Sequence, residues 1–79
     1  MYYVYILRLG NGKPYVGSTP DLKRRLHEHQ QGMSEATKRF LPCSLVCYIC
    51  LPNLLLARQF EEYLKSGSGR AFRKRHFGI

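Results

Sequence analysis

Residues 2–18 read YYVYILRLGNGKPYVGS, two apolar runs on either side of a glycine-rich turn, and this stretch decides the fold. Tyr2 to Leu9 is nearly continuous aromatic and branched sequence, too short for a helix, which predicts a strand covered on both faces. Asn11-Gly12 is a hairpin signal, so Tyr15 to Ser18 reads as the partner strand. Pro14 cannot donate to a ladder, which puts that strand at the sheet edge. Plain core packing accounts for either Tyr5 or Tyr15, but the turn decides whether they share a face. A two-residue turn at Asn11-Gly12 sets Tyr15 opposite Arg8 and away from Tyr5. A three-residue loop or a glycine bulge at Gly10 or Gly12 brings both phenols to one side, and this is the arrangement expected.

Beyond the hairpin, Thr19-Pro20-Asp21 supplies an N-cap, a proline at the first helical position and an acidic first turn, predicting a helix over Pro20 to Gln31 that Gly32 closes. Met33 to Lys38 forms at most a short helical turn. Ser44 to Leu51 (SLVCYICL) predicts a third doubly buried strand, ended by Pro52-Asn53. A helix from Leu54 to Lys65 follows, stopped by Ser66-Gly67-Ser68-Gly69. Residues 70–79 then form a short basic helix or tail, tacked back by Phe72 and Phe77. The order predicts one α+β domain over residues 1–79: a small three-stranded, mainly antiparallel sheet flanked by helices on both faces.

The 79 residues carry 13 Lys and Arg against 5 Asp and Glu, a net charge of +8, and 44% are hydrophobic. That hydrophobic share excludes a disordered basic tail. No apolar run approaches the roughly 20 residues that span a bilayer, and no charged leader with a cleavage site opens the chain, so a cytoplasmic protein is expected. Cys43, Cys47 and Cys50 read as reduced core thiols; a zinc site is disfavoured because Cys47 and Cys50 alternate across a strand. The charge favours polyanions. Nucleic acid is the expected partner, and no strongly amphipathic basic helix supports a membrane surface.

The first helix turns Leu22, Leu26 and the trailing Met33 into one narrow stripe. His29 falls inside it and Arg25 at its border, one turn apart, while Lys23, Glu28 and Gln30 or Gln31 face away. A snorkelling arginine and a carbonyl-bonded histidine explain this pair without function. On the later helix, Leu56, Ala57, Phe60 and Leu64 define the core face. Glu61 sits at its border, partly shielded, and reads either as a structural salt-bridge partner, with Arg25 a natural mate, or as a metal ligand. Ser66 to Gly69 could form a phosphate nest or a plain helix stop. Arg70 with the cluster Arg73-Lys74-Arg75 suits phosphate contacts, against the alternative of a solvated basic face.

In order along the chain, Val4-Tyr5-Ile6, Tyr15-Val16-Gly17, Asp21-Leu22, Arg24-Arg25-Leu26, His29, Ala57, Glu61 and Lys65 together resemble the GIY-YIG nuclease superfamily, over nearly the whole chain. The likeness is greatest to its small stand-alone members, in which an end like Tyr63 to Phe72 (YLKSGSGRAF) recurs. The superfamily also includes homing endonucleases and a DNA repair nuclease subunit. The resemblance implies that Tyr5 and Tyr15 are the tyrosines of the two motif halves, Arg25 the catalytic arginine, His29 the residue one turn on, and Glu61 the ligand of a single Mg²⁺ (or Mn²⁺). It implies hydrolysis of DNA phosphodiesters to 5′-phosphate and 3′-hydroxyl ends. The first half reads VYI, and Ser18 stands where some members carry lysine.

Those residue types suit the chemistry. A cation at Glu61 and the Arg25 guanidinium stabilise charge that grows on a phosphate oxygen. Tyr15 or Tyr5, a phenol made basic enough only where the metal and neighbouring positive charge lower its pKa, takes the proton of water, assisted or oriented by His29. With no second domain, Lys23, Arg24, Lys65, Arg70, Arg73, Lys74 and Arg75, or a protein partner, supply affinity for DNA, expected to be branched, damaged or single-stranded. The alternative is a non-catalytic nucleic-acid-binding module that keeps the nuclease fold.

Overall fold

The computed structural model describes residues 1–79. Its sheet has the order β2-β1-β3, with β1 (Tyr2–Arg8) paired antiparallel to both β2 (Pro14–Thr19) and β3 (Ser44–Leu51). The central strand is apolar on both sides because helices cover both sides. Val4 and Ile6 meet Val16, Ala57, Leu64 and Ile79 under α2 (Leu54–Lys65) and α3 (Gly67–Phe77). Tyr5 and Leu7 turn the other way, towards Tyr15, Leu45, and Leu22 and Leu26 of α1 (Leu22–Gln30). The architecture is the α+β arrangement expected from the element order. No helix is long and apolar enough to cross a membrane.

The hairpin has a three-residue turn. Arg8 pairs with Pro14, the Leu9 amide donates to the Lys13 carbonyl at 2.9 Å, and the Gly12 amide donates to the Leu9 carbonyl at 2.8 Å. Gly12 stands at φ +82°, a left-handed conformation open to glycine at no steric cost. Leu7 therefore lies opposite Tyr15 and Tyr5 opposite Gly17, which places both phenols on the α1 face. The expected glycine-bulge geometry is what brings them together.

Several elements differ from the sequence expectation. The first helix begins at Leu22 and not at Pro20, because the Asp21 carboxylate reaches the Arg24 amide at 3.1 Å and takes the capping role. Thr19 stays in β2, where its hydroxyl accepts from the Asp21 amide at 3.1 Å. Gly32, at φ +76°, closes the helix and redirects the chain, so Met33 is 67% exposed and lies outside the apolar stripe. The helical turn after it is a 3₁₀ turn at Lys38–Phe40, later than expected.

β3 keeps the expected bounds but is an edge strand, with Tyr48 and Cys50 exposed and an extra residue, Val46, where the register with β1 shifts. Its unbroken apolar pattern looks the same in sequence as that of a central strand. Cys50 is thus no core thiol, whereas Cys43 is buried and Cys47 half-buried. Cys47 and Cys50 pair with Ile6 and Tyr3, which face opposite sides of the sheet.

The helix α2 has its expected bounds, capped by the Asn53 side chain on the Leu56 amide at 2.9 Å. Leu56 is 42% exposed and not on the core face. Ser66-Gly67-Ser68-Gly69 does end α2, yet no loop follows: Ser66 caps Gly69 at 3.1 Å and α3 starts at Gly67. A Cβ on Gly69 would lie 1.6 Å from the Tyr63 carbonyl oxygen, so only glycine permits this closeness of α3 to α2. Phe72 and Phe77 pack on the core as expected.

Candidate functional site

The hairpin and α1 together assemble an aromatic cluster. The Tyr5 hydroxyl is 2.8 Å from His29 Nε2, and His29 Nδ1 is 2.8 Å from the Thr37 hydroxyl. Tyr15 packs edge-on against the same imidazole, with ring centroids 5.2 Å apart, and its ring centroid is 6.4 Å from that of Tyr5. His29 and Thr37 are fully buried and Tyr5 is 2% exposed, while Tyr15 is half-buried. Gly17 makes the approach possible, because a Cβ there would stand 2.5 Å from the Tyr5 hydroxyl oxygen.

Burial controls the protonation of these groups. It pushes the Tyr5 phenol up to about 12, with the neighbouring Arg25 guanidinium pulling the other way. Burial, reinforced by the Arg25 charge, lowers His29 below its ordinary value, so the imidazole is neutral at pH 7. A neutral imidazole has one donor and one acceptor. It therefore donates to one of its two hydroxyl neighbours and accepts from the other.

Arg25 stands half-buried beside this cluster. Its guanidinium donates to Glu28 at 3.0 Å and reaches the Ser34 hydroxyl at 3.5 Å. The pairing of Arg25 with Glu61, one of the two readings open from sequence, does not form: Arg25 pairs with Glu28, one turn away on the same helix. Glu61 is held by β2 and by its own helix: Ser18 Oγ donates to Oε1 at 2.6 Å and Lys65 Nζ, one turn on, to Oε2 at 2.7 Å. Burial by itself would raise the Glu61 carboxyl, but Lys65, Ser18 and the Arg58 charge outweigh it and hold the group below the ordinary carboxylate range.

Ser18 pairs with Val4, so Glu61 lies on the α2 side of the sheet while the phenols lie on the α1 side. The two halves meet around the edge strand. A cleft of about 530 Å³ is lined by Tyr15 from one half and by Lys65, the ion-pair mate of Glu61, from the other. Lys13, Arg70, Arg73, Pro14 and Val16 complete its wall. A concave surface with this many cations suits an anionic ligand.

The basic residues named from sequence divide accordingly. Lys65 and Arg70 line the cleft and are exposed. Arg73 is a correction: only 6% exposed, it spends its guanidinium on the Leu64 carbonyl and the Ile79 carbonyl, each at 2.9 Å, and so fastens α3 and the chain end. Lys23, Arg24, Lys74 and Arg75 are exposed but lie outside the cleft.

Sequence reasoning missed Ser18, Thr37, Ser34 and Lys13. Ser18 carried a usable signal, since strand alternation opposite Val4 sends it towards α2. Ser34 and Thr37 sit in an aperiodic segment that offers none.

No group of three or more His, Cys, Asp or Glu side chains could hold a metal ion. Glu61 offers one hard carboxylate beside the Ser18 hydroxyl, which fits Mg²⁺ of the kind that keeps its waters and binds through one carboxylate plus substrate phosphate. It does not fit an all-protein cage.

The three-stranded α+β frame with its hairpin-and-helix site matches a family model, the GIY-YIG catalytic domain, over residues 1–75. The chain belongs to the GIY-YIG family, whose nucleases generally use a divalent metal. It is similar to the UPF0213 protein ORF82 of Orgyia pseudotsugata multicapsid polyhedrosis virus, 37% identical over 78 residues that cover 91% of this chain and 71% of the viral one. A UPF0213 protein of Streptococcus sanguinis is 40% identical over 70 residues, 87% of this chain and 80% of its own. Among solved structures, the solution NMR structure of the UPF0213 protein BH0048 from Bacillus halodurans aligns with a TM-score of 0.59 at 33% identity, covering 94% of this chain and 81% of that one.

Proposed function

We propose that the protein is a divalent-metal-dependent endonuclease that hydrolyses DNA phosphodiester bonds. The observation that carries this reading is the packing of Tyr5, Tyr15 and His29 into one cluster, with Tyr15 also among the residues of a neighbouring cleft lined by cations. Lys13, Lys65 and Arg70 bind the backbone phosphates of DNA along that cleft. Arg25, beside the cluster, is the guanidinium to which we assign stabilisation of charge growing on the scissile phosphate, released from Glu28 for that role. Tyr5, buried against His29, steadies the imidazole, and Tyr15, one of the residues of the cleft wall, acts as its phenolate: it gives its own proton to solvent beforehand and then takes the proton of the attacking water.

Glu61, with Ser18 beside it, would hold one Mg²⁺ or Mn²⁺, which when bound supplies Lewis-acid polarisation of the phosphate. Lys65 gives up its ion pair for this, a modest cost for a partly exposed pair, on the order of 0–1 kcal/mol. Branched, damaged or single-stranded DNA is the substrate favoured by a site on the exposed edge of a single small domain, and a protein partner can add specificity.

The occupied Glu61 carboxylate also favours a second reading, a nucleic-acid-binding module without turnover. Cleavage of labelled single-stranded, duplex, flap and four-way-junction DNA with Mg²⁺ or Mn²⁺ decides between them. Cutting by the wild type, lost in Glu61→Ala and Arg25→Ala proteins that still bind, supports the nuclease. Equal binding by all three with no cutting, or cutting that persists equally in the variants, overturns it.

A further inference from the structure

Lys23 lies outside the cleft that the proposed reaction uses, but it lines a second hollow, of about 430 Å³, on the α1 face of the sheet. One side of this hollow is Tyr3 of β1 with Tyr48 of β3, and the other is the start of α1, with Asp21, Leu22 and Leu26. Strand register sets the two rings beside the candidate site. Tyr3 shares a face of β1 with Tyr5, two residues on, and Tyr48 is the β3 partner of Tyr5. Leu22 and Leu26 belong both to this hollow and to the apolar cluster around Tyr5.

The rings of Tyr3 and Tyr48 form an open corner. Their centroids are 6.0 Å apart with planes at 62°, and Tyr48 is 53% exposed. A flat ligand laid on one ring meets the other edge-on, and both arrangements are favourable between aromatic groups. Charge selects the kind of flat ligand. The exposed Lys23 ammonium attracts a phosphate, whereas the Asp21 carboxylate, whose Oδ1 accepts the Arg24 amide at 3.1 Å, repels one and accepts N–H groups. A nucleotide satisfies both with its base in the hollow and its phosphate outside. By contrast, the groove between β3 and α2, lined by Ile49, Leu51, Leu56, Gln59, Phe60 and Tyr63, has no charged side chain to hold a phosphate.

We propose that Tyr3 and Tyr48 form a stacking platform for an unpaired nucleobase of DNA, with Lys23 on the adjoining phosphate, so that the bound strand is single-stranded where it crosses the α1 face. A base stacked within a duplex does not offer its face to such a platform. The inference takes nucleic acid as the ligand, as the nuclease reading does, but it does not require cleavage.

Binding of a labelled single-stranded oligonucleotide and of its duplex, in EDTA and over a range of salt, tests it. Tyr48→Ala, at an exposed position, is expected to weaken single-strand binding about fivefold to hundredfold, the effect of one lost base stack, with duplex affinity and the slope of log affinity against log salt unchanged. Tyr48→Phe, which keeps the ring, restores the affinity. Lys23→Ala is expected to reduce the single-strand salt slope by about 0.7. Wild-type affinity in Tyr48→Ala, a loss shared equally by the duplex, a Tyr48→Phe protein as weak as Tyr48→Ala, or an unchanged slope in Lys23→Ala overturns the inference, even where the wild type cuts duplex DNA. If the expected binding pattern is found and neither Mg²⁺ nor Mn²⁺ brings cleavage of any DNA, the nuclease reading fails and the stacking platform stands.

Discussion

The Ser18 hydroxyl donates to the Glu61 carboxylate at 2.6 Å across 43 positions of sequence, joining the edge strand to the middle of α2. Residues that orient a metal-binding carboxylate contribute to affinity without touching the ion. Ser18→Ala removes one hydrogen bond that stabilises the charged carboxylate, so the Glu61 carboxyl moves up towards its ordinary range. The Mg²⁺ concentration for half-maximal cleavage is expected to rise about tenfold, with DNA affinity in the absence of metal unchanged. A metal titration of cleavage measures it, and an unaltered titration would show that Glu61 is oriented by other means.

Gly17 faces Tyr5 across the β1–β2 ladder, and its missing side chain is where the phenol lies. Gly17→Ala drives a Cβ into the Tyr5 hydroxyl, which must leave His29. Overpacking of this kind destabilises by roughly 1–3 kcal/mol. In a domain of this size each kcal/mol lowers the thermal midpoint by about 4–8 °C. Calorimetry checks the stability loss, and the His29 nitrogen shifts check that the Tyr5 contact is the one broken.

The sheet and the hairpin were legible because their signals are local: an apolar run, a Gly-Asn-Gly turn and a proline at the strand start. So was the placing of Tyr5 and Tyr15 on one face, which depends only on turn length and the period of two. The mate of Arg25 was not legible, because Glu28 and Glu61 both suit it by charge and only the distance between α1 and α2 decides. The same holds for Arg73. In sequence it belongs to a basic cluster, and only the return of the chain end to α3 turns its guanidinium onto the Leu64 and Ile79 carbonyls. Edge and central strands with equally apolar sequences, β1 and β3, differ only in what the rest of the chain lays beside them.

Arg70 and Arg73, three residues apart on α3, are expected to respond to substitution in opposite ways. Arg73→Ala leaves two carbonyls without their buried donor and is expected to cost roughly 1–3 kcal/mol of stability. Arg70→Ala leaves stability unchanged and removes a phosphate contact, which weakens binding and reduces the slope of log affinity against log salt by about 0.7–0.9. Urea unfolding and salt titrations of DNA binding separate the two. A salt slope that falls equally for both would return Arg73 to the DNA-binding surface.

The acid and alkaline limits of stability follow from the same buried cluster. His29 has a lower pKa folded than its ordinary 6.5, so below pH 6.5 the unfolded chain takes up a proton that the native protein resists, and stability falls as pH drops through the folded value. Glu61, also lowered, adds a second loss of the same sign below its ordinary 4.5. Tyr5 has the opposite sign. Its phenol is raised from 10.0 to about 12, so its contribution is complete below pH 10 and is lost as pH climbs towards 12. Burial also raises the Cys43 and Cys47 thiols above their ordinary 9.0, with the same sign as Tyr5. Urea midpoints measured from pH 4 to pH 11 are therefore expected to form a plateau between about pH 7 and pH 9 that falls on both sides. His29→Gln lowers the plateau by removing the imidazole's hydrogen bonds, yet it is expected to flatten the decline between pH 6.5 and pH 5, because His27 and His76 are exposed. A decline of unchanged steepness in that variant would mean that the acid limit is set elsewhere than at the Tyr5–His29–Thr37 chain.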